Sequence, residues 1–311
     1  MKEHNSEPRK HHYIPQSYLK GFQYGNKKTP QIVVYLKDKP SKSYISAIKD
    51  TACEKDFHLI KEEDGYDRSS VEELLSSIEN ETIQNIRKVI EKKQINDEEK
   101  FILAITILLM KTRVPQNMNA LKKQFKSLLE EIAEENFKQN NDGLKGSFKD
   151  NYKITVHNNL PVLFMLKSLL NEKIISMILK MNFSLVKAPA ETPFVCSDAP
   201  ISYYCKNYKS KSGVGLNHKD LEIFLPLDKT FGLICTRKKI SKYKELTKEE
   251  VNCLNRRTVI TAEKYIFSPI REESINKLID KNINEFSGIK CSEKRTANGL
   301  LQCSTYIPVT D

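Results

Sequence analysis

Apolar positions recur at helical spacing from residue 71 to residue 90, as Val71, Leu74, Leu75, Ile78, Ile83, Ile86, Val89 and Ile90. Ser70 and Glu73 stand ahead of them at capping-box spacing, so the pattern predicts an amphipathic helix from Ser70 to about Lys92. A second helix is expected after Asn96, because Asp97, Glu98 and Glu99 suit a helix N-terminus. It contains the run Phe101–Met110 (FILAITILLM) and is apolar on all sides, which predicts burial. Pro115 is expected to break or kink the chain. A third helix, Gln116 to about Phe137, gathers Leu121, Phe125, Leu128, Leu129 and Ile132 on one face. The polar stretch 139–150 reads as a loop, and a fourth helix covers about Asn158 to Met181.

From Phe183 the pattern changes. Short apolar stretches (FSLV, PFVCSD, ISYYC, EIFLPL and FGLICT) alternate with turn residues and predict a sheet of about five strands, with a loop over 206–219. Two helices, 248–263 and 272–286, close the chain around a short strand at Tyr265–Phe267. The first 65 residues are mixed, with extended candidates at Gln31–Leu36 and Ser43–Ile48. Runs of helices beside runs of strands imply an α+β fold. Its helix-rich N-terminal half (residues 9–182) packs on a mostly antiparallel sheet in the C-terminal half (183–311). With 311 residues two domains would fit by length, but a single integrated unit is the expectation.

Charge changes this picture only partly. Lys and Arg number 51 against 40 Asp and Glu, a net +11 that invites a nucleic-acid reading. Only nine of those are Arg, the better residue for planar phosphate recognition, and the abundance of Lys, Asn and Ile together has a compositional explanation. Seven scattered cysteines with no CxxC pair do not form a disulfide framework. Cys196, Cys235 and Cys253 read as small core residues. The N-terminus lacks an apolar signal region, and ten apolar residues are too few to span a bilayer, so a cytoplasmic protein without membrane association is expected.

The most unusual local sequence is His11-His12-Tyr13-Ile14-Pro15-Gln16-Ser17-Tyr18-Leu19-Lys20-Gly21-Phe22. Two adjacent histidines ahead of a Pro-initiated turn suit acid–base chemistry, metal ligation or anion contact, and equally suit a pair of packing histidines. Asp198 follows a buried strand and precedes Pro200, a position for metal ligation or acid–base catalysis, or for an Asx-turn. Arg113 ends the apolar helix as a candidate phosphate clamp, or as an ion-pair partner of Glu79. Lys206, Lys209 and Lys211, interleaved with Tyr203, Tyr204 and Tyr208, and Arg237-Lys238 are candidate nucleic-acid contacts or solvated loops. His58, His157 and His218 have no partner at metal spacing and read as packing or surface residues.

HHYIPQSYLKGF resembles the opening motif of the family called domain of unknown function 4238, HHYIPQ-x-YL-x-x-F, whose members occur in bacteria and fungi. Glu79, Arg113 with Pro115, Phe194 to Pro200, Pro226-Leu227 and Asn255 are similar to further family positions in the same order, so the resemblance covers about residues 9 to 270. Cys196 stands where the family pattern favours Thr. The resemblance carries no settled activity.

The functional expectation is a metal-assisted nucleic-acid hydrolase, such as a toxin-like or phage-defence nuclease acting on RNA or DNA. His11 or His12 would serve as general base, with His12, Glu79 and Asp198 as ligands of Mg²⁺ or Mn²⁺ and Arg113 stabilising phosphate charge. The alternatives are a non-catalytic nucleic-acid-binding or regulatory module, and a nucleotide hydrolase or transferase.

Overall fold

Local chemistry explains most of the helix boundaries. The structure, a computed structural model, describes residues 10–62, 65–67, 69–140, 148–209, 213–296 and 299–311. Its N-terminal region holds β1 (Lys10–His12), the short α1 (Gln16–Leu19), β2 (Gln31–Leu36), β3 (Lys39–Ala47), β4 (Cys53–Lys55), β5 (Ile60–Glu62) and β6 (Gly65–Asp67). The helical layer follows as α2 (Ser70–Lys92), α3 (Asp97–Thr112), α4 (Pro115–Asn140), α5 (Phe148–Asn151), α6 (Asn159–Leu169) and α7 (Glu172–Leu179). Asn96 and Glu99 form a reciprocal capping box at the start of α3. The start of α2 differs from expectation: the Asp67 carboxylate, not Ser70 with Glu73, accepts from the amides of Ser69 and Ser70. Pro115 opens α4 instead of breaking it, as its fixed φ and missing N–H allow. The predicted fourth helix is two, because the Asn171 side chain caps Lys173 and Ile174 and starts α7 afresh.

The C-terminal half contains β7 (Asn182–Lys187), β8 (Cys196–Ser197), β9 (Ser202–Tyr204), β10 (Glu222–Pro226), β11 (Phe231–Thr236), β12 (Tyr243–Glu245), α8 (Lys248–Thr261), β13 (Tyr265–Ser268), α9 (Glu273–Lys281), β14 (Gly288–Thr296) and β15 (Gly299–Ile307). Five strands form one sheet in the order β12-β7-β11-β10-β9, antiparallel except for the parallel β12–β7 pair. The PFVCSD strand, β8, is not among them. It pairs with β13 in a second, antiparallel sheet ordered β3-β2-β13-β8, which ties the first 50 residues to the C-terminal half. The chain is thus α+β, with helices concentrated in the first half and strands in the second. A main cluster of buried apolar side chains runs from Tyr13, Tyr18 and Phe22 through α2 and α3 to β10, β11 and Tyr306. Cys196 and Cys235 lie inside it, whereas Cys253 is exposed. Among the described residues no helix is long and apolar enough to cross a membrane.

Candidate metal centre

The N-terminal strand is held by pairing and by two left-handed residues. β1 lies antiparallel to β4, with His11 opposite Glu54 and His12 opposite Cys53. β4 is flanked by Ala52 (φ +54°) and Asp56 (φ +51°), a conformation L residues adopt only when their surroundings enforce it. Asp56 opens a turn closed by Leu59 N–H to the Asp56 carbonyl at 3.1 Å. This turn swings His58 back against His11, and the His58 amide donates to His11 Nδ1 at 2.9 Å. The two rings lie nearly parallel, 12° apart, with centroids separated by 5.8 Å. The first turn of α2 supplies Glu72, whose Oε1 stands 2.5 Å from His58 Nδ1.

Three potential ligand atoms, one each from His11, His58 and Glu72, thus lie within 4.8 Å of one another. A metal ~2.0–2.2 Å from each would hold them ~3–4 Å apart, so closure needs only side-chain adjustments of about 1 Å. Both histidines are 1% exposed, and the Glu72 side chain, one-third exposed, joins them to solvent. Burial pushes the His58 imidazole down to about 4, so the ring is neutral at neutral pH. Its Nδ1–H then donates to the Glu72 carboxylate, leaving the lone pair on Nε2, which is buried and has no hydrogen-bond partner among the described residues. An ion held jointly by Glu72 and His58 Nδ1 would displace that proton.

Arg113 closes the neighbouring layer. It sits at the C-terminus of α3, 1% exposed, and its guanidinium donates through Nη1 to Glu79 on α2 and through Nη2 to the His12 carbonyl. One buried cation therefore fastens β1 to both helices. The pairing with Glu79 follows from burial, since neither charge is tolerated alone. His12 turns its ring the other way: Nε2–H donates to the Lys49 carbonyl at 3.1 Å, which leaves Nδ1 as an acceptor. Burial also lowers the pKa of this imidazole.

His11, His12, Glu79 and Arg113 consequently share one neighbourhood, whereas Asp198 is engaged elsewhere. Its carboxylate accepts the amides of Glu263, Lys264 and Tyr265 at 2.8, 2.7 and 3.0 Å, bracing the turn between α8 and β13. Of the expected nucleic-acid contacts, Lys206 and Lys209 are exposed, and Lys211 lies outside the described residues. Arg237 donates to the carbonyls of Met177 and Leu216 and to Asn217, and Lys238 pairs with Asp220 at 3.1 Å. His157 and His218 are exposed. His58 and Glu72 are the residues that sequence reasoning missed. Their partners are on other elements, so no local spacing marks them; the only trace was a histidine in a segment of otherwise apolar and turn character.

Other motif residues hold the fold. The Tyr18 hydroxyl donates to the Pro226 carbonyl, and a Cβ at Gly21 would stand 2.9 Å from the Asp228 Cβ, so this close approach requires glycine. Asn255 accepts from the Val195 amide and donates to the Pro193 carbonyl, both at 3.0 Å. Residues 10–272 match the family model described as protein of unknown function (DUF4238). No curated protein and no solved structure matches the chain.

Proposed function

The chain belongs to the DUF4238 family, and from that premise we propose that it is a metal-dependent hydrolase of nucleic acid centred on His11, His58 and Glu72. The observation that carries this reading is the convergence of two buried imidazoles and one solvent-reaching carboxylate from β1, the turn after β4 and α2. Two nitrogens and one oxygen suit Zn²⁺ or Mn²⁺ better than Mg²⁺, which prefers an all-oxygen shell. Such an ion supplies Lewis acidity at a phosphodiester. Of the chain's own groups, Arg113 fixes the backbone of His12 and with it the strand that carries His11, and the Glu72 carboxylate joins the buried histidines to solvent, whereas the His12 ring turns toward Lys49 and stands outside the trio. The net charge of +11 favours a polyanionic substrate.

The test is to strip the purified full chain with EDTA, restore Zn²⁺ or Mn²⁺, and measure bound metal and cleavage of labelled RNA and DNA. About one ion per chain and cleavage lost in Glu72→Gln, with circular dichroism unchanged, are expected. Absence of bound metal under all conditions overturns the reading. The near-complete burial of His11 and His58 supports a second one, in which the trio fastens β1 inside a nucleic-acid-binding or regulatory module. That alternative predicts salt-sensitive binding without cleavage. Turnover of mononucleotides alone would instead identify a nucleotide hydrolase or transferase.

A further inference from the structure

Lys111 lies in the last turn of α3 and lines a cavity of about 280 Å³. α4 contributes Asn117, Leu121 and Gln124 to its wall, β9 contributes Tyr203, and β15 contributes Thr305 and Tyr306. The amine stands 3.6 Å from the centroid of the Tyr306 ring and 5.2 Å from that of Tyr203. The two rings contact each other with centroids 4.5 Å apart. Among the described residues Lys111 Nζ makes no hydrogen bond and no ion pair, unlike the buried Lys37, which donates to the carbonyls of Ile260 and Ala262. The charged form of Lys111 is met by the two ring faces and the C-terminal end of α3 rather than by a carboxylate.

The polar groups around it are already engaged. The Asn117 amide donates to the Thr112 carbonyl at 2.8 Å, Gln124 to the Ser304 hydroxyl, the Thr305 hydroxyl to the Lys290 carbonyl at 3.3 Å, and the Tyr306 hydroxyl to the Ile201 carbonyl at 3.4 Å. Among the described residues no set of free donors therefore converges with the amine to cradle an anion, and the uncommitted group of the cavity is the amine itself.

We propose that Lys111 is a covalent binding site for a small aldehyde or ketone, held as an imine in the cavity between α4, β9 and β15. The amine lone pair attacks the carbonyl carbon, and the resulting carbinolamine loses water to leave a C=N bond; the carbonyl oxygen departs in that water and no oxidant or reductant is needed. Burial among the rings pushes the amine down to about 7, with the ring faces returning part of the stability of the charged form. The titratable side chains that face it among the described residues are the phenols of Tyr203 and Tyr306, both raised by burial, that of Tyr306 to about 12, so neither brings a charge near neutrality. A neutral amine is thereby present at a pH where surface lysines are protonated.

Reductive labelling of the full chain tests this. Propanal with cyanoborohydride at pH 7, taken to low conversion and mapped by peptide mass spectrometry, should modify Lys111 at least about tenfold faster than the median lysine. The lead should shrink toward pH 10 and vanish in urea. Gln124→Glu, which adds a carboxylate to the cavity wall, should suppress it. Labelling of Lys111 at or below the median at pH 7, with its peptide observed, overturns the proposal, as does a lead that persists in urea.

Discussion

His58→Gln measures how the centre holds its charge. Burial lowers this imidazole from its ordinary 6.5 to about 4, so the folded protein refuses a proton that the unfolded chain accepts throughout that window. The unfolded state therefore binds more protons between pH 6.5 and 4, and stability falls as the pH falls. A shift of about 2.5 units corresponds to ~3 kcal/mol, present in full above pH 6.5 and lost by pH 4. Gln keeps a donor for Glu72 but does not titrate. It should weaken the metal-free fold by ~1–3 kcal/mol at pH 7, through the altered hydrogen bond and lost ring contacts. The assay is urea unfolding in EDTA, followed by circular dichroism because the chain has no Trp, for both proteins at pH 7, 5.5 and 4.5. The wild-type advantage should shrink by about 2–3 kcal/mol between pH 7 and 4.5. A constant gap would refute the buried neutral imidazole. A gap that widens in acid would replace it with an imidazolium–carboxylate ion pair, whose stabilisation has the opposite pH dependence.

Arg113→Met strands Glu79 and the His12 carbonyl; a loss of ~3–5 kcal/mol is expected, about 5–8 °C in melting temperature for a chain of this length, and adding Glu79→Met should restore part of it. Asp198→Asn turns an amide donor toward amides that need an acceptor, so the fold should lose ~2–3 kcal/mol at pH 6 in urea titrations. Burial raises the Asp198 carboxyl to about 6, so wild-type stability from this group should decline as the pH rises from about 4 to 6, and the variant should lack that slope. Lys93 is exposed at the end of α2 with φ +53°, so Lys93→Gly should stabilise by ~0.5–1 kcal/mol, read as a rise of about 1–2 °C.

Periodicity made α2 legible almost to the residue and the acidic first turn marked the start of α3, because these features are local, although the cap of α2 came from Asp67 and not from Ser70 with Glu73. The same rules failed for β12, whose parallel pairing with β7 is set at a distance, and for β14, whose strand (GIKCSEKRT) carries too many charges to show an apolar alternation. At the candidate centre, adjacency made His11 and His12 visible and scarcity made Arg113 visible. His58 and Glu72 were hidden for the opposite reason: each is ordinary in its own segment and becomes distinctive only when a left-handed turn at Asp56 presents one to the other. Asp198 misled because a strand-end aspartate that serves backbone amides looks the same in sequence as one that serves a ligand.

The guanidinium that joins His12 to Glu79 imposes a schedule on the newborn chain. Its two partners lie 34 and 101 positions upstream. At ~5–20 residues per second, roughly 5–20 s pass on the ribosome between the emergence of His12 and that of the arginine that anchors it. The helical pair α2–α3 can assemble locally, but the strand must wait for this long loop to close, a step that slows folding more than it weakens the product. Throughout that delay His11, His12, Tyr13 and Ile14 lack the contact that holds their strand against the helices.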